Sequence, residues 1–508
     1  MPPWISLTMP KPITQTRSFQ HLLTLSPPPI SELISPERFQ THCIKSKEVS
    51  FNYACTALTD EIIAILSDLC EEQGLIEHYQ SILNGDPVNL SENRAVNHHR
   101  YRAKIPSSYT QELDRCKTVA LDIRKQGIEN QAISHIIQIG IGGSEFGPRA
   151  VYDSLRVNKT DYIPITFLAN VDPTQHRNHL KNIDFSSSMI VVVSKSGATL
   201  ETQATLELVK EAAQKSGLSD AQIQKRLYGI TCKGSPLDDQ IDSSNCFYID
   251  ETIGGRFSSS SPVAAFSLYL SLGATPFDEF LLGAQAMDVH SLEPRLRYNL
   301  PMMMAAIAMY DHSVSNLPIR IIAAYHDFLS AFTEHLQQVD CESLGKSLDR
   351  ENQALNINSG ALLVPAIGTN TQHSFFQLLH QGTVPFSAQF IASKSVLDAP
   401  SPKEEINFGH SLSNCIAQQI AFAIGDPTSP KAFPGNIRST CLILEDASPK
   451  HIGALWSAYE QSVLFQAALL NLNAYDQPGV SLGKSLAQSF SKPSRSDLLS
   501  AAASILNI

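Results

Sequence analysis

The segment Ser188-Met-Ile-Val-Val-Val-Ser-Lys-Ser-Gly-Ala-Thr-Leu-Glu-Thr202 constrains this chain more than any other. Residues 189–193 form an apolar, β-branched run too short for a typical helix, which predicts a strand buried on both faces. A turn of Ser194, Lys195, Ser196, Gly197 and Thr199 follows, then an amphipathic run to about Gln214. Strand, hydroxyl-rich turn, helix is an arrangement suited to an anion. The first turn of a helix presents unpaired N–H groups and the positive end of its dipole, and small hydroxyl residues let a phosphate monoester approach closely. Simple capping of the helix by Ser and Thr is the alternative.

Alternation of such units defines the fold class. From Ser134 onward the pattern switches between short apolar runs and helical stretches, as expected of α/β sandwiches with parallel-rich sheets flanked by helices. Strands are predicted at 136–141, 162–169, 189–193, 228–231, 319–324, 361–365 and 438–445, with helical patterning over 262–309. Before them, residues 1 to about 45 read as a loose arm broken by Pro27-Pro28-Pro29, followed by a helix at 60–69. A turn at 85–96 then leads into a helix capped by Ser91. The resulting division is an N-terminal arm and helical segment (1–114), two α/β domains (115–280 and 281–484) and a C-terminal helical tail (485–508). A chain of 508 residues, 43% hydrophobic and 17% charged, is long enough for this.

The formal net charge of −11 argues against a nucleic-acid or anionic-membrane surface, so an anionic substrate requires a local cationic pocket. The nine cysteines are odd in number and contain no C-x-x-C pair, as expected of reduced thiols in a cytosol. Trp4 lies in a Pro-rich start without the pattern of a secretory signal, and Met9 is an alternative start. Apolar runs such as 301–310 fall short of the roughly 18 residues of a membrane span. A cytoplasmic protein without membrane or nucleic-acid partners is the expectation.

Four further stretches carry candidate chemistry. In the turn after Ile141, a dinucleotide fingerprint fails because Glu145 or Ser144 stands where glycine is required. The P-loop-like ends Gly345-Lys-Ser347 and Gly483-Lys-Ser485 fail at Asp340 and Pro478. Gly142 and Gly143 either pack a helix on a strand or share a phosphate pocket with the Ser194 turn. Arg256, between Gly254-Gly255 and four serines, is either a surface ion-pair residue or a fixed cation for a developing oxyanion. Glu342 and Lys346 have the spacing of a helical ion pair, while a partly desolvated Glu342 is a candidate general base. His373 and His380 stand two helical turns apart, as core histidines or as one proton-transfer group and one structural group. No Cys, His or Asp spacing makes a metal site, and neither metal nor cofactor is expected.

Taken together, these stretches resemble the phosphoglucose isomerase family from Asn89 to Lys484. Glu251-Thr-Ile-Gly-Gly-Arg-Phe-Ser-Ser-Ser-Ser-Pro-Val-Ala264 fits the family's first signature throughout. The 467–484 stretch, ending Tyr475-Asp-Gln-Pro-Gly-Val-Ser-Leu-Gly-Lys484, fits the second except at Ser481. Ser91-Glu-Asn-Arg-Ala-Val96, Gly140-Ile-Gly-Gly-Ser144, Ser194-Lys-Ser-Gly197 and Gln377-Leu-Leu-His-Gln-Gly-Thr383 add to the resemblance.

The resemblance implies two sugar-isomerase (SIS-type) sandwiches, a homodimer with shared sites, and metal-free interconversion of glucose 6-phosphate and fructose 6-phosphate. It implies that Ser144, Ser194, Ser196 and Thr199 hold the sugar phosphate, with Gly143 and Lys195 beside them. Glu342 matches the base that moves a proton between C2 and C1 through a cis-enediol, and Arg256 the group that stabilises its charge. His373, supplied by the partner subunit, and Lys484 match the ring-opening groups; Gln338 and Gln477 match further substrate contacts. The departures are Ala198, Leu344, Thr371, Ser481 and Gly435-Asn-Ile-Arg438. A non-catalytic sugar-phosphate sensor of the same fold is the alternative, and it predicts lost acid/base residues.

Overall fold

The computed structural model describes residues 11–396, 398, 400–426, 428–429, 433–489 and 497–506; Trp4 and Met9 lie outside them. The described strands are β1 (Cys43–Lys45), β2 (Val49–Asn52), β3 (His135–Ile139), β4 (Ile165–Leu168), β5 (Ser188–Val193), β6 (Leu227–Thr231), β7 (Cys246–Tyr248), β8 (Ile319–Ala324), β9 (Leu362–Ile367), β10 (Ser387–Ser393) and β11 (Ser439–Leu444). They form two sheets, ordered β4-β3-β5-β6-β7 and β1-β2-β11-β10-β8-β9. The first is parallel throughout. The second is parallel from β11 to β9, and the antiparallel hairpin β1–β2 extends its edge.

Burial on both faces is what makes a continuous apolar run a strand here. All six residues of β5 are buried. Met189, Val191 and Val193 enter the central core, while Ile190 and Val192 enter an outer core under the flanking helices. β8 divides in the same way, with Ile322 and Ala324 inward and Ile321 and Ala323 outward. The period-2 geometry of a strand sends neighbours to opposite faces, so every position of such a strand must be apolar or small.

The central core is built on the Pro449–Leu469 helix, buried all round from Ile452 to its end. It packs on the Ala274–His290 helix at backbone distance. A Cβ on Gly453 would collide with the Phe280 carbonyl, and one on Gly283 with the Lys450 carbonyl. Beside this crossing Phe280 meets Trp456 edge-on, ring centroids 5.6 Å apart.

Strands β3–β7 fall within 115–280 and β8–β11 within 281–484, but the N-terminal segment departs from the expectation. Helices at Arg17–Leu22, Ile30–Leu33 and Pro36–Thr41 replace the loose arm, and β1–β2 pair onto β11. The second sheet's edge provides backbone partners that a local reading of 1–45 does not reveal. Ser91 does not cap a helix: 89–94 is a tight turn closed by an Asn89–Arg94 bridge, with Asn93 at φ 50°. The helix expected at 60–69 runs Asp60–Glu72. The helix Ser481–Ser489 begins before the tail expected from 485 and runs into it, and Asp497–Leu506 lies within the tail; 490–496 and 507–508 lie outside the described residues.

Candidate active site

In the first sheet the chain passes from β3 to β4 on one side and then to β5 on the other. The C-terminal ends of β3 and β5 therefore bracket a topological switch point, where α/β sheets open a ligand crevice. Both candidate phosphate turns arise there. Gly142 at φ 62° and Gly197 at φ 65° adopt the left-handed backbone that glycine tolerates. Gly197 also leaves no room for a side chain, since a Cβ would stand 2.5 Å from Ser235 Oγ and 2.8 Å from Leu237 N.

The hydroxyls of the Ser194 turn face one another rather than capping the helix. Ser194 Oγ lies 3.1 Å from Thr199 Oγ1, and Ser196 Oγ lies 3.5 Å from it. Thr199 is the N-cap of the Leu200–Lys215 helix, yet its side chain makes no capping bond. The helix N-terminus is thus left open toward a hydroxyl-lined cradle, the arrangement that favours an anion. Lys195 donates to the carbonyls of Glu251 (2.8 Å) and Ile253 (2.8 Å), tying the cradle to the turn that carries Arg256. Burial pulls the Lys195 ammonium below its ordinary pKa.

The second contact between these turns is steric. A Cβ on Gly143 would collide with the Gly255 carbonyl and stand 2.9 Å from Arg256 N, so the glycine turn of β3 lies directly on the Gly-Gly-Arg turn. The serines after Arg256 have separate structural roles. Ser258 Oγ donates to Gly255 O (2.6 Å), Ser260 Oγ accepts from Arg102 Nε (2.8 Å), and Ser261 caps the Pro262–Leu272 helix. Phe257 stacks on His98, centroids 5.1 Å apart.

These contacts hold Arg256 with 2% of its surface exposed, which excludes the surface ion-pair reading. Its Nε donates to Ser343 Oγ (2.7 Å), Nη1 to Glu342 Oε2 (3.1 Å) and Gln477 Oε1 (3.0 Å), and Nη2 to Asp476 O (3.1 Å) and to Ala474 O. Burial lowers the guanidinium's pKa, opposed mainly by Glu342. Glu342 lies in the last turn of the Ser330–Leu344 helix with its side chain 32% exposed. One helical turn earlier, Gln338 Nε2 lies 3.4 Å from Glu342 Oε1, while Gln338 Oε1 is buried without a partner. A Cβ on Gly142 would lie 3.4 Å from the same amide nitrogen, so Gln338 adjoins the β3 turn.

Lys346 is not the helical ion-pair partner of Glu342. It donates to that residue's backbone carbonyl (2.9 Å) and pairs with Asp476. The Glu342 carboxylate is left to Arg256, Gln338 and the open site.

Among the candidate residues, one group comes together in a single chain: Gly143, Ser144, Ser194, Lys195, Ser196 and Thr199 on the two turns, and Arg256, Gln338, Glu342 and Gln477 beside them. His373 and Lys484 are both exposed, and among the described residues neither bonds a member of this group. His373 ends the short Gly368–Gln372 helix, exposed, and a separate helix at Phe376–Gln381 carries His380. Ser374 and Phe375 break the helical register on which the two-turn spacing of the histidines depended. His380 bonds Gln418 (2.8 Å) against Phe422. Lys484 is exposed on the Ser481–Ser489 helix.

Ser343, Asn473 and Asp476 also belong to the site's framework and carried no separate signal in the sequence. Only their position beside Glu342 and Gln477 points to them. Leu344 is buried against Gly360. Among the described residues no group of three or more His, Cys, Asp or Glu side chains is placed to hold a metal ion, and no helix is long and apolar enough to cross a membrane.

Fold and site together define a two-sheet α/β protein in which a phosphate-type cradle at a switch point adjoins a carboxylate–guanidinium pair. The chain belongs to the phosphoglucose isomerase family: the family model of that name matches residues 52–504. It is 36% identical over 474 residues to a glucose-6-phosphate isomerase of Treponema denticola, covering 89% of this chain and 90% of that one. A glucose-6-phosphate isomerase of Borrelia garinii is 32% identical over 514 residues, with 95% and 96% covered. The crystal structure of a glucose-6-phosphate isomerase from Chlamydia trachomatis superposes with a TM-score of 0.90 at 32% identity, covering 98% of this chain and 99% of the other.

Proposed function

We propose that this chain catalyses the reversible isomerisation of glucose 6-phosphate and fructose 6-phosphate. The observation that carries the reading is the Glu342 carboxylate held 3.1 Å from the Arg256 guanidinium beside an open hydroxyl cradle. The cradle takes the phosphate, and its contact with the Arg256 turn places the sugar's first two carbons against Glu342. Glu342 takes the C2 proton and returns it to C1. Arg256 holds the negative charge that develops on the enediol oxygen, and Gln338 and Gln477 bond the sugar hydroxyls. General-base transfer contributes about 10²- to 10⁴-fold, and a preorganised charge-stabilising group about 10²- to 10³-fold. Retention of both groups favours catalysis over a sensor, which needs only the cradle.

Ring opening is assigned to His373 and Lys484. Because Cys341, next to Glu342, lies against Ala361 before the start of β9 while His373 follows its far end, the proposal includes a homodimer in which each site takes this histidine from the partner subunit. Exposed apolar residues support it: Leu378 and Val384 follow His373, and Ile406 and Ile416 lie on the Pro402–Ile424 helix beside it. A cytoplasmic location is proposed from the nine cysteines, all free thiols.

The test is a coupled assay of fructose 6-phosphate conversion, in the presence of EDTA, for wild type and Glu342→Gln. Activity in wild type and a loss of at least about 10²-fold in a folded variant are expected. An inactive wild type that still binds the sugar phosphate identifies a sensor, and a fully active variant removes Glu342 as the base.

A further inference from the structure

Gln338 and Glu342 stand one turn apart on the Ser330–Leu344 helix, and Lys346 follows just beyond its end, after the non-helical C-cap Gly345. Gln338 adjoins the β3 turn, Glu342 meets Arg256, and Lys346 turns to the backbone of Glu342 and to Asp476. The Lys346 side chain is only 10% exposed, and each of its contacts is made at the junction of two segments. Nζ donates to Glu342 O (2.9 Å), one of the carbonyls left without a helical partner at the helix C-terminus, and to Asp476 O (2.6 Å), and it pairs with Asp476 Oδ1 (3.0 Å). The other Asp476 oxygen accepts from Asn473 Nδ2 (2.9 Å).

The next residue is Gln477, whose Oε1 accepts from Arg256 Nη1. Arg256 also holds Asp476 O and Ala474 O. The segment 474–477 is therefore held by two cations. One of them, Arg256, faces substrate in the proposed reaction and must share its bonds with it. The other, Lys346, has its donors on Glu342 O and Asp476. Burial lowers the pKa of the Lys346 ammonium, and pairing with Asp476 opposes this; Arg256 and Glu342 are the other charges facing it.

We propose that Lys346 is a positioning residue: through Asp476 it fixes the Gln477 segment to the end of the Glu342 helix, so that base, guanidinium and Gln477 keep their spacing when substrate takes part of the Arg256 bonding. The proposal rests on the isomerase reading and adds to it a role in turnover rather than in phosphate affinity. A displacement on the order of 1 Å at the reacting centre costs about 10²-fold. Lys346→Met keeps the aliphatic stem and removes the charge and its donors.

The experiment measures kcat, KM and the competitive inhibition constant of inorganic phosphate for the full chain, with Lys346→Met, Lys346→Arg, Asp476→Asn and the double variant Lys346→Met/Asp476→Asn. Lys346→Met is expected to lower kcat by about 10- to 100-fold with an unchanged phosphate constant. Lys346→Arg should recover most of that loss, and the double variant should be no slower than the slower single one. If Lys346→Met does not fold, Asp476→Asn carries the test with the same separation of kcat from phosphate inhibition. Wild-type kcat in the folded variant, or a phosphate constant that rises in step with the loss of kcat, overturns the proposal. An inactive wild type overturns the isomerase reading instead.

Discussion

Gly143→Ala isolates the steric coupling between the cradle and the Arg256 turn. The added Cβ would stand 2.9 Å from Arg256 N and closer still to the Gly255 carbonyl, whereas carbon contacts settle near about 3.5 Å. Backbone must give by about 0.5 Å at the amide and about 1 Å at the carbonyl. The facing atoms are main chain, so no side-chain rotation relieves the clash. Because Arg256 is bonded through all three of its nitrogens, the shift passes to Glu342 and Gln477. A misplacement of that size is expected to lower kcat/KM by about 10²-fold, or ~2.7 kcal/mol in the barrier.

Gly255→Ala is the matched control. A Cβ there meets only Gly143 Cα, at 4.0 Å, and is expected to leave kcat near wild type. Steady-state kinetics with circular dichroism to verify folding decides the matter. A folded Gly143→Ala enzyme with wild-type kcat/KM, or equal losses in both variants, refutes the coupling.

Other sites give expectations of different kinds. Lys195→Met, which frees the carbonyls of Glu251 and Ile253 and removes the cradle's cation, is expected to raise KM by about 10- to 100-fold with a smaller change in kcat; a loss confined to kcat contradicts the phosphate assignment. Burial pushes the Asp340 carboxyl up to about 6 from an ordinary 3.8, opposed by Arg320. Folding thus raises its proton affinity, so its contribution to stability is fully present below about pH 4 and is lost as the pH rises through 6. Asp340→Asn should therefore raise stability at pH 7.5 by up to about 3 kcal/mol and change little at pH 4, and thermal unfolding that shows no gain at pH 7.5 refutes this. Arg102 is buried between Asp288 (3.0 Å) and Glu460, so Arg102→Met leaves two carboxylates facing each other and should cost about 3–5 kcal/mol, read from urea midpoints.

Legibility in the sequence followed chemistry and burial. Strands such as β5 and β8 were visible because burial on both faces demands an unbroken apolar run. The middle strand β10 was not anticipated. In Ser387-Ala-Gln-Phe-Ile-Ala-Ser393 only Phe390 and Ile391 are large and apolar, serines flank the run, and the buried Gln389 is bonded by Tyr459 and Thr440. Strands β1, β2 and β7 are three or four residues long, and neighbouring strands, not their own pattern, stabilise them. In the site, Glu342 and Arg256 stood out by residue type and by family resemblance, whereas the part played by Ser343 and Asp476 depends on which backbone faces Arg256.

By itself the sequence determined the α/β class, the two phosphate-type turns and the residue types able to move a proton and hold a charge. These depend on local periodicity, on glycine's backbone freedom and on intrinsic acidity, all written along the chain. Only the tertiary structure decided that Arg256 is buried against Glu342, that Lys346 serves Asp476 rather than the neighbouring carboxylate, and that His373 lies at the opposite end of β9 from Glu342. Such outcomes arise where segments more than 80 residues apart compete for the same donors, and that competition is settled by packing geometry rather than by sequence spacing.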